Sequence, residues 1–99
     1  MFIAVRRYTS TGLTNDELKS SLEKEFLPKV SGVPGFQGYY AVSTGKDQIA
    51  TVSIFESEEG EKESTRLAAE YVTEHLQGKL TRVSLDEGPT IAERSVARV

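Results

Sequence analysis

Residues 34–57 read PGFQGYYAVSTGKDQIATVSIFES: a turn, a strand, a short polar loop and a second strand that runs into a helix cap. Pro34 presets φ for the second position of a type II turn, and Gly35 supplies the positive φ needed at the third. Tyr39, Tyr40 and Val42 favour an extended chain, and Ile49, Thr51, Val52, Ile54 and Phe55 form the return strand. With residues 44–47 as the loop, Val42 faces Ile49, Tyr40 faces Thr51, Gly38 faces Ser53 and Phe36 faces Phe55. Phe36, Tyr40, Val42, Ile49 and Phe55 then share one face; Gln37, Tyr39, Ala41, Ala50, Val52 and Ile54 share the other. Both faces are apolar, so both need cover. A hairpin wet on one side would alternate cleanly between polar and apolar residues.

Before the hairpin, Phe2 to Tyr8 reads as a strand, with Ile3 and Val5 on one face and Phe2, Ala4, Arg6 and Tyr8 on the other. Arg6 and Tyr8 are expected to reach solvent at the strand end. Thr14 and Glu17 have the spacing of a capping box, and Leu13 and Leu18 that of a hydrophobic staple. Leu18, Leu22, Phe26 and Val30 recur at helical spacing. Pro28 cannot donate to the carbonyl of Lys24, which predicts that the regular helix stops near Leu27. After the hairpin, Ser57 caps a second helix whose first turns carry Glu58, Glu59, Glu61 and Glu63. This run is expected to face solvent and complement the helix dipole. Ser64, Leu67, Ala68, Tyr71, Val72, His75 and Leu76 form the buried stripe, and Gly78 ends the helix. Residues 79–89 read as a long connection and residues 90–99 as the last strand.

The order strand, helix, strand, strand, helix, strand predicts one ferredoxin-like α+β domain over residues 1–99, with the first and third strands central. Right-handed crossovers put both helices on one sheet face. The bare face then carries Phe2, Phe36, Tyr40, Val42, Ile49 and Phe55, an apolar patch that a second copy of the chain would cover as a homodimer.

Composition removes several function classes. A net charge of −3 with mixed signs argues against non-specific nucleic-acid binding. Without cysteine there is no thiolate chemistry and no disulfide. No stretch approaches the ~20 apolar residues of a membrane span, and the first residues do not resemble a signal peptide, so a cytoplasmic domain is expected. No metal is expected, because the carboxylates lack a compact loop or a partner histidine.

The run PGFQGYYAV, a short loop and then TVSIFES resemble small proteins of the antibiotic biosynthesis monooxygenase type, in the dimeric α/β-barrel superfamily. The resemblance covers the hairpin well and the rest of the chain by element order. It implies two ferredoxin-like subunits packed sheet to sheet into a barrel. It also implies a range of activities, from cofactor-free oxygenation of aromatic compounds to haem degradation. Haem-degrading members use an Asn, a His and a Trp in the pocket; this chain has no Trp, and its only Asn is Asn15.

The remaining chemistry centres on His75, the one histidine. Alone near a helix C-terminus it reads as a dipole complement or packing residue. Tyr71 lies four residues earlier on the same face, opposite the sheet face assigned to Tyr39. Tyr39, Tyr71 and His75 around one gap could bind and polarise a small phenolic or carbonyl compound. No residue supplies redox chemistry and no cofactor is expected, so an oxygenase here would run on the substrate's own electrons. Two function classes follow: a cofactor-free monooxygenase or isomerase, and a non-catalytic dimeric domain that binds a metabolite or stabilises an assembly.

Overall fold

A computed structural model describes residues 1–96. Its elements are β1 (Phe2–Ser10), α1 (Asn15–Ser21), a π-helical segment (Leu22–Phe26), α2 (Leu27–Val30), β2 (Phe36–Gly45), β3 (Gln48–Phe55), α3 (Glu58–His75) and β4 (Leu80–Pro89). The four strands form one antiparallel sheet in the order β2-β3-β1-β4, with β1 and β3 central. The helices cover one face, so the fold is α+β and ferredoxin-like.

The start signals act as read. Thr14 Oγ1 accepts from the Glu17 amide at 3.1 Å, and the Glu17 carboxylate accepts from the Thr14 amide at 2.9 Å. Ser57 Oγ accepts from the Gly60 amide at 3.1 Å. At the turn before β2, Gly35 has φ +84° and the Phe36 amide donates to the Val33 carbonyl at 3.1 Å.

Pro28 does not stop the first helix. The Leu27 amide bonds the Leu22 carbonyl, a five-residue step, and Pro28 falls in the first turn of α2, where a missing N–H costs nothing. The helix is widened for one turn and then restarted. Val30, fully buried, stays on the same apolar stripe as Leu18, Leu22 and Phe26.

The hairpin register differs from expectation, and the faces exchange with it. The loop is only Lys46-Asp47, closed by Gly45 opposite Gln48, with Asp47 in the left-handed region at φ 57°. A bulge between Ser43 and Gly45 adds one residue, which places Ser43 opposite Ile49, Ala41 opposite Thr51 and Tyr39 opposite Ser53. Ile49 and Phe55 therefore point under the helices as core residues. A second irregularity at Gln37 returns Phe36 to Phe55, with ring centroids 5.7 Å apart. Phe2 shares the parity of the buried Ala4 and pairs with Phe55, so it too lies on the helix side. The expected outer patch thus loses Phe2, Phe36, Ile49 and Phe55. Tyr40 and Val42 stay on the outer face, opposite Val52 and Ala50. Ile3 and Val5 pair there with Ile54 and Val52.

The fourth strand is also displaced. Residues 80–89, read as a connection, pair with the whole of β1. Gly88-Pro89 closes that strand rather than preceding it, and residues 90–96 form no strand. The rest of the expected strand, residues 97–99, lies outside the described residues. Leu80 seals one end of the core, and a bulge beside Tyr8 accommodates a ladder whose alternation the sequence hides.

Candidate small-molecule site

Aromatic side chains converge between helices and sheet from three elements. The register of β2 turns Tyr39 inward, the π-helical segment presents Phe26, and α3 presents Tyr71 and His75 one turn apart. Phe26 stands between the two tyrosines, its ring centroid 5.2 Å from Tyr39 and 5.3 Å from Tyr71. The Tyr71 and His75 rings are 5.6 Å apart. The three residues singled out in the sequence thus lie along one row, with Phe26 inserted.

Their polar ends go separate ways. The Tyr71 hydroxyl is bonded to Ser21 Oγ at 2.6 Å. His75 sits at the rim, with Nε2 3.6 Å from a Glu25 carboxylate oxygen and 3.8 Å from one of Glu74. Tyr39 alone reaches the open space. It lines a cleft of about 380 Å³ between α1 and the β2–β3 hairpin, with Leu18, Leu22, Leu27, Ala41, Val42 and Ile49 as its apolar wall. Asn15, Asp16, Lys19, Glu23 and Ser43 rim its mouth.

Behind the cleft lies a gap of about 10 Å³, space for roughly one water-sized group. Leu18, Leu22, Tyr39 and Ile49 line both spaces, so the gap lies against the cleft across these side chains. Its own lining adds Tyr8, Thr51, Phe26, Ala68, Tyr71, Val72 and Leu80. His75 lines neither space.

The strand residues here were assigned in the sequence to other places. Tyr8 is buried rather than solvated. Thr51 Oγ1 is buried without a hydrogen-bond partner, although it lies near enough to Tyr8 and Tyr39 to ease the ionisation of both phenols. Burial outweighs that help and raises both phenols above the ordinary tyrosine range, Tyr39 most strongly. Burial likewise raises Tyr71.

Arg6, expected at a frayed strand end, is fully buried. Its guanidinium donates to Ser53 Oγ at 3.2 Å from both terminal nitrogens, to Ser64 Oγ at 2.8 Å and to Thr65 Oγ1 at 3.4 Å. All of these acceptors are neutral. Desolvation lowers its pKa, and the fields of Tyr8, Tyr39 and Glu61 oppose that shift. An arginine holds its proton in spite of such a shift, so a cation stands next to the polar end of the gap. The two-residue loop alone would keep Thr51 on the face of Val42; the bulge between Ser43 and Gly45 turns Thr51 to the face of Tyr39, and Arg6 and Tyr8 share that face through the pairing of β1 with β3.

No family model matches the sequence, and no curated protein is a detectable relative. Solved structures do share the fold. SnoaB, a cofactor-independent oxygenase from Streptomyces nogalater, is 13% identical with a TM-score of 0.71, over 98% of this chain and 97% of that one. A Chloroflexus aurantiacus protein provisionally named an antibiotic biosynthesis monooxygenase is 15% identical with a TM-score of 0.69, over 97% and 98%. A dimeric ferredoxin-like protein from an uncultured marine organism is 16% identical with a TM-score of 0.67, over 97% and 100%. The chain thus shares the ferredoxin-like fold of these proteins.

Proposed function

We propose that the protein binds a small aromatic or carbonyl compound in the cleft between α1 and the β2–β3 hairpin and acts on it as a cofactor-independent monooxygenase or isomerase. The observation that carries this reading is that an open apolar cleft and a hydroxyl-edged gap share one wall. A cleft of about 380 Å³ with apolar walls lies across Tyr39 from a gap edged by the hydroxyl-bearing residues Tyr8, Thr51 and Tyr71. An apolar ring fits the first space, and a polar substituent meets hydroxyls in the second. Oxygenation there would draw its electrons from the substrate and its oxygen from dioxygen. The fold shared with SnoaB supports the reaction class without supplying the residues that perform it.

The original trio changes in role. Tyr39 stays as the shared wall of cleft and gap. Tyr71 contributes its ring while Ser21 holds its hydroxyl. His75 is a rim residue facing Glu25. The protein would act as a homodimer joined through the outer sheet face.

Titration with small phenols, followed by amide and methyl chemical shifts, tests the site. Shifts are expected at Leu18, Leu22, Tyr39 and Ile49; shifts confined to other residues would remove it. Oxygen uptake with a bound phenol separates the two function classes. Uptake that needs both protein and ligand marks an enzyme. Saturable binding without uptake or isomerisation marks a metabolite-binding domain, a reading favoured by the narrowness of the gap.

A further inference from the structure

Beneath the first half of α3, a base and an acid are buried within each other's field without pairing. Arg6 is fully buried, and its hydrogen bonds among the described residues go to the hydroxyls of Ser53, Ser64 and Thr65 and to no carboxylate. Glu61 is buried one helical turn before Ser64 and Thr65, and its Oε2 has no partner. Ser64 joins the two residues. Its Oγ accepts from Arg6 Nη2 at 2.8 Å and donates to the Glu61 carbonyl oxygen at 2.6 Å. An ionised carboxylate with a free oxygen would draw a neighbouring guanidinium to itself, so this separation is the arrangement of the protonated acid.

The surroundings leave one rearrangement open. Glu61 faces Glu87 of β4, Lys62 of its own helix and Arg6 of β1. Burial, the hydrogen bond with Glu87 and that residue's charge push its carboxyl up to about 7, so near neutrality it passes between the neutral and the ionised form. Arg6 faces Tyr8 of β1, Tyr39 of β2, Glu61 of α3 and Arg82 of β4. From β3 it meets only the neutral Ser53 and, across the ladder, Thr51. Burial keeps both tyrosines neutral, Arg82 repels, and Glu87 is engaged by Lys62. Ionised Glu61 is therefore the anion left for Arg6, and in a low-dielectric interior with no water to replace it the attraction is strong. The direction of the move follows from the ladder. Glu87 stands opposite Ala4, two residues before Arg6, and Tyr8 lies two residues after it on the same face. A guanidinium that turns toward Glu61 carries its charge away from Tyr8 and the gap.

We propose that Arg6 and Glu61 form a proton-operated switch beneath α3: with Glu61 protonated, Arg6 rests on the hydroxyls of Ser53, Ser64 and Thr65 beside the gap, and with Glu61 ionised, Arg6 turns to its carboxylate and the charge withdraws from Tyr8. The two arrangements are discrete, because Arg6 exchanges one set of partners for another. The switch operates in the ligand-free protein and does not depend on what the cleft binds.

The test is a titration of the ligand-free protein from pH 5 to 9, followed by nuclear magnetic resonance. The Glu61 carboxyl carbon is expected to titrate near pH 7. The Arg6 Nε–H signal, the Ser53 and Ser64 amides and the Tyr8 ring signals should follow with the same midpoint. Crosspeaks between the Arg6 Nε–H and the Glu61 side chain should be present at pH 8.5 and absent at pH 5.5. Glu61→Gln should lose the shared titration and hold these signals at their low-pH positions. A Glu61 carboxyl that titrates while the Arg6 and Ser53 signals stay fixed overturns the switch, because Glu61 is then an isolated buried acid. A Glu61 midpoint in the ordinary carboxylate range also overturns it, as does a shared titration that survives in Glu61→Gln. If Glu61→Gln does not fold, the wild-type titration decides alone: coincident midpoints with the new crosspeaks support the switch, and their absence overturns it. Failure of phenols to bind the cleft would remove the ligand site and leave this result standing.

Discussion

Glu61 shows how a single side chain departs from its sequence context. In a run of glutamates at the start of α3 it reads as a solvated dipole complement, yet it is 1% exposed and one carboxyl oxygen has no partner. Burial, a hydrogen bond with Glu87 and that residue's charge push its pKa up to about 7, against the opposing fields of Lys62 and Arg6. Lys62 in turn pairs with Glu87, whose pKa is lowered by its bonds to Glu61 and Lys62. The sign of the linkage follows. Below about pH 4.5 Glu61 is protonated in both folded and unfolded chains, and its contribution to stability is fully present. Between about 4.5 and 7 the unfolded chain ionises first, so stability falls as pH rises, and above 7 the loss is complete. Glu87 acts in the opposite sense at lower pH, below the ordinary carboxylate value. Glu61→Gln mimics the protonated acid and keeps a donor for Glu87. Chemical denaturation should therefore find it more stable than wild type at pH 8, by roughly 1–3 kcal/mol, and nearly equal at pH 4. A variant less stable at pH 8 would show that the ionised form is the one the fold needs.

At the scale of elements, Gly60 is set by packing more than by helix propensity. A Cβ at this position would meet the Phe55 ring at 2.7 Å and the Pro34 carbonyl oxygen at 3.0 Å. Phe55 is fully buried and has no room to withdraw. The first turn of α3 therefore lies as close to β3 as it does only because residue 60 lacks a side chain. Gly60→Ala, favourable in an isolated helix, should instead lower the denaturation midpoint by the equivalent of about 1–3 kcal/mol; a gain in stability would mean that the helix can lift away freely. The same scale shows what the sequence could and could not tell. Caps, the Pro34-Gly35 turn and the element order were legible because each is a local signal. The hairpin register was not, because both faces of β2 and β3 are apolar and one bulged residue reverses them. Tyr39 was placed correctly under the helices, since it was assigned to the face of Val52, which was itself wrongly put there; Tyr8, Thr51 and Arg6 were lost to the same slip. β4 was misplaced because Val83, Ser84 and Leu85 alternate poorly beside a bulge, and no local pattern distinguishes them from a connection.

For the whole molecule, the faces of the sheet have different needs. The helix side is closed by its own core. The outer side presents Tyr40 at 56% exposure and Val42 at 48%, beside the half-buried Ile3, Val5, Val52 and Ile54. Removing one such side chain from water is worth up to ~1.5–3 kcal/mol, so the patch as a whole rivals the ~5–15 kcal/mol stability of a domain. A second copy of the chain, related by a two-fold axis, would cover it with the same patch and leave a closed assembly. This is a different surface from the one parity first suggested, and it makes a cleaner experiment. Phe55 and Ile49 are core residues, and replacing them would unfold the subunit whatever its oligomeric state. Tyr40 is already wet in the isolated subunit and lines neither the cleft nor the gap, so Tyr40→Asp removes only what a partner would bury. Wild-type protein at micromolar concentration is expected to sediment as a dimer. This variant is expected to sediment as a monomer with its amide spectrum largely preserved, and its melting temperature should no longer depend on protein concentration. A wild-type chain that sediments as a folded, soluble monomer would show that the outer face needs no second copy. If the cleft still bound phenols in that monomer, the site would be complete within one subunit. If binding disappeared with the dimer while the fold persisted, the hairpin that forms one wall of the cleft would owe its geometry to the partner across the sheet.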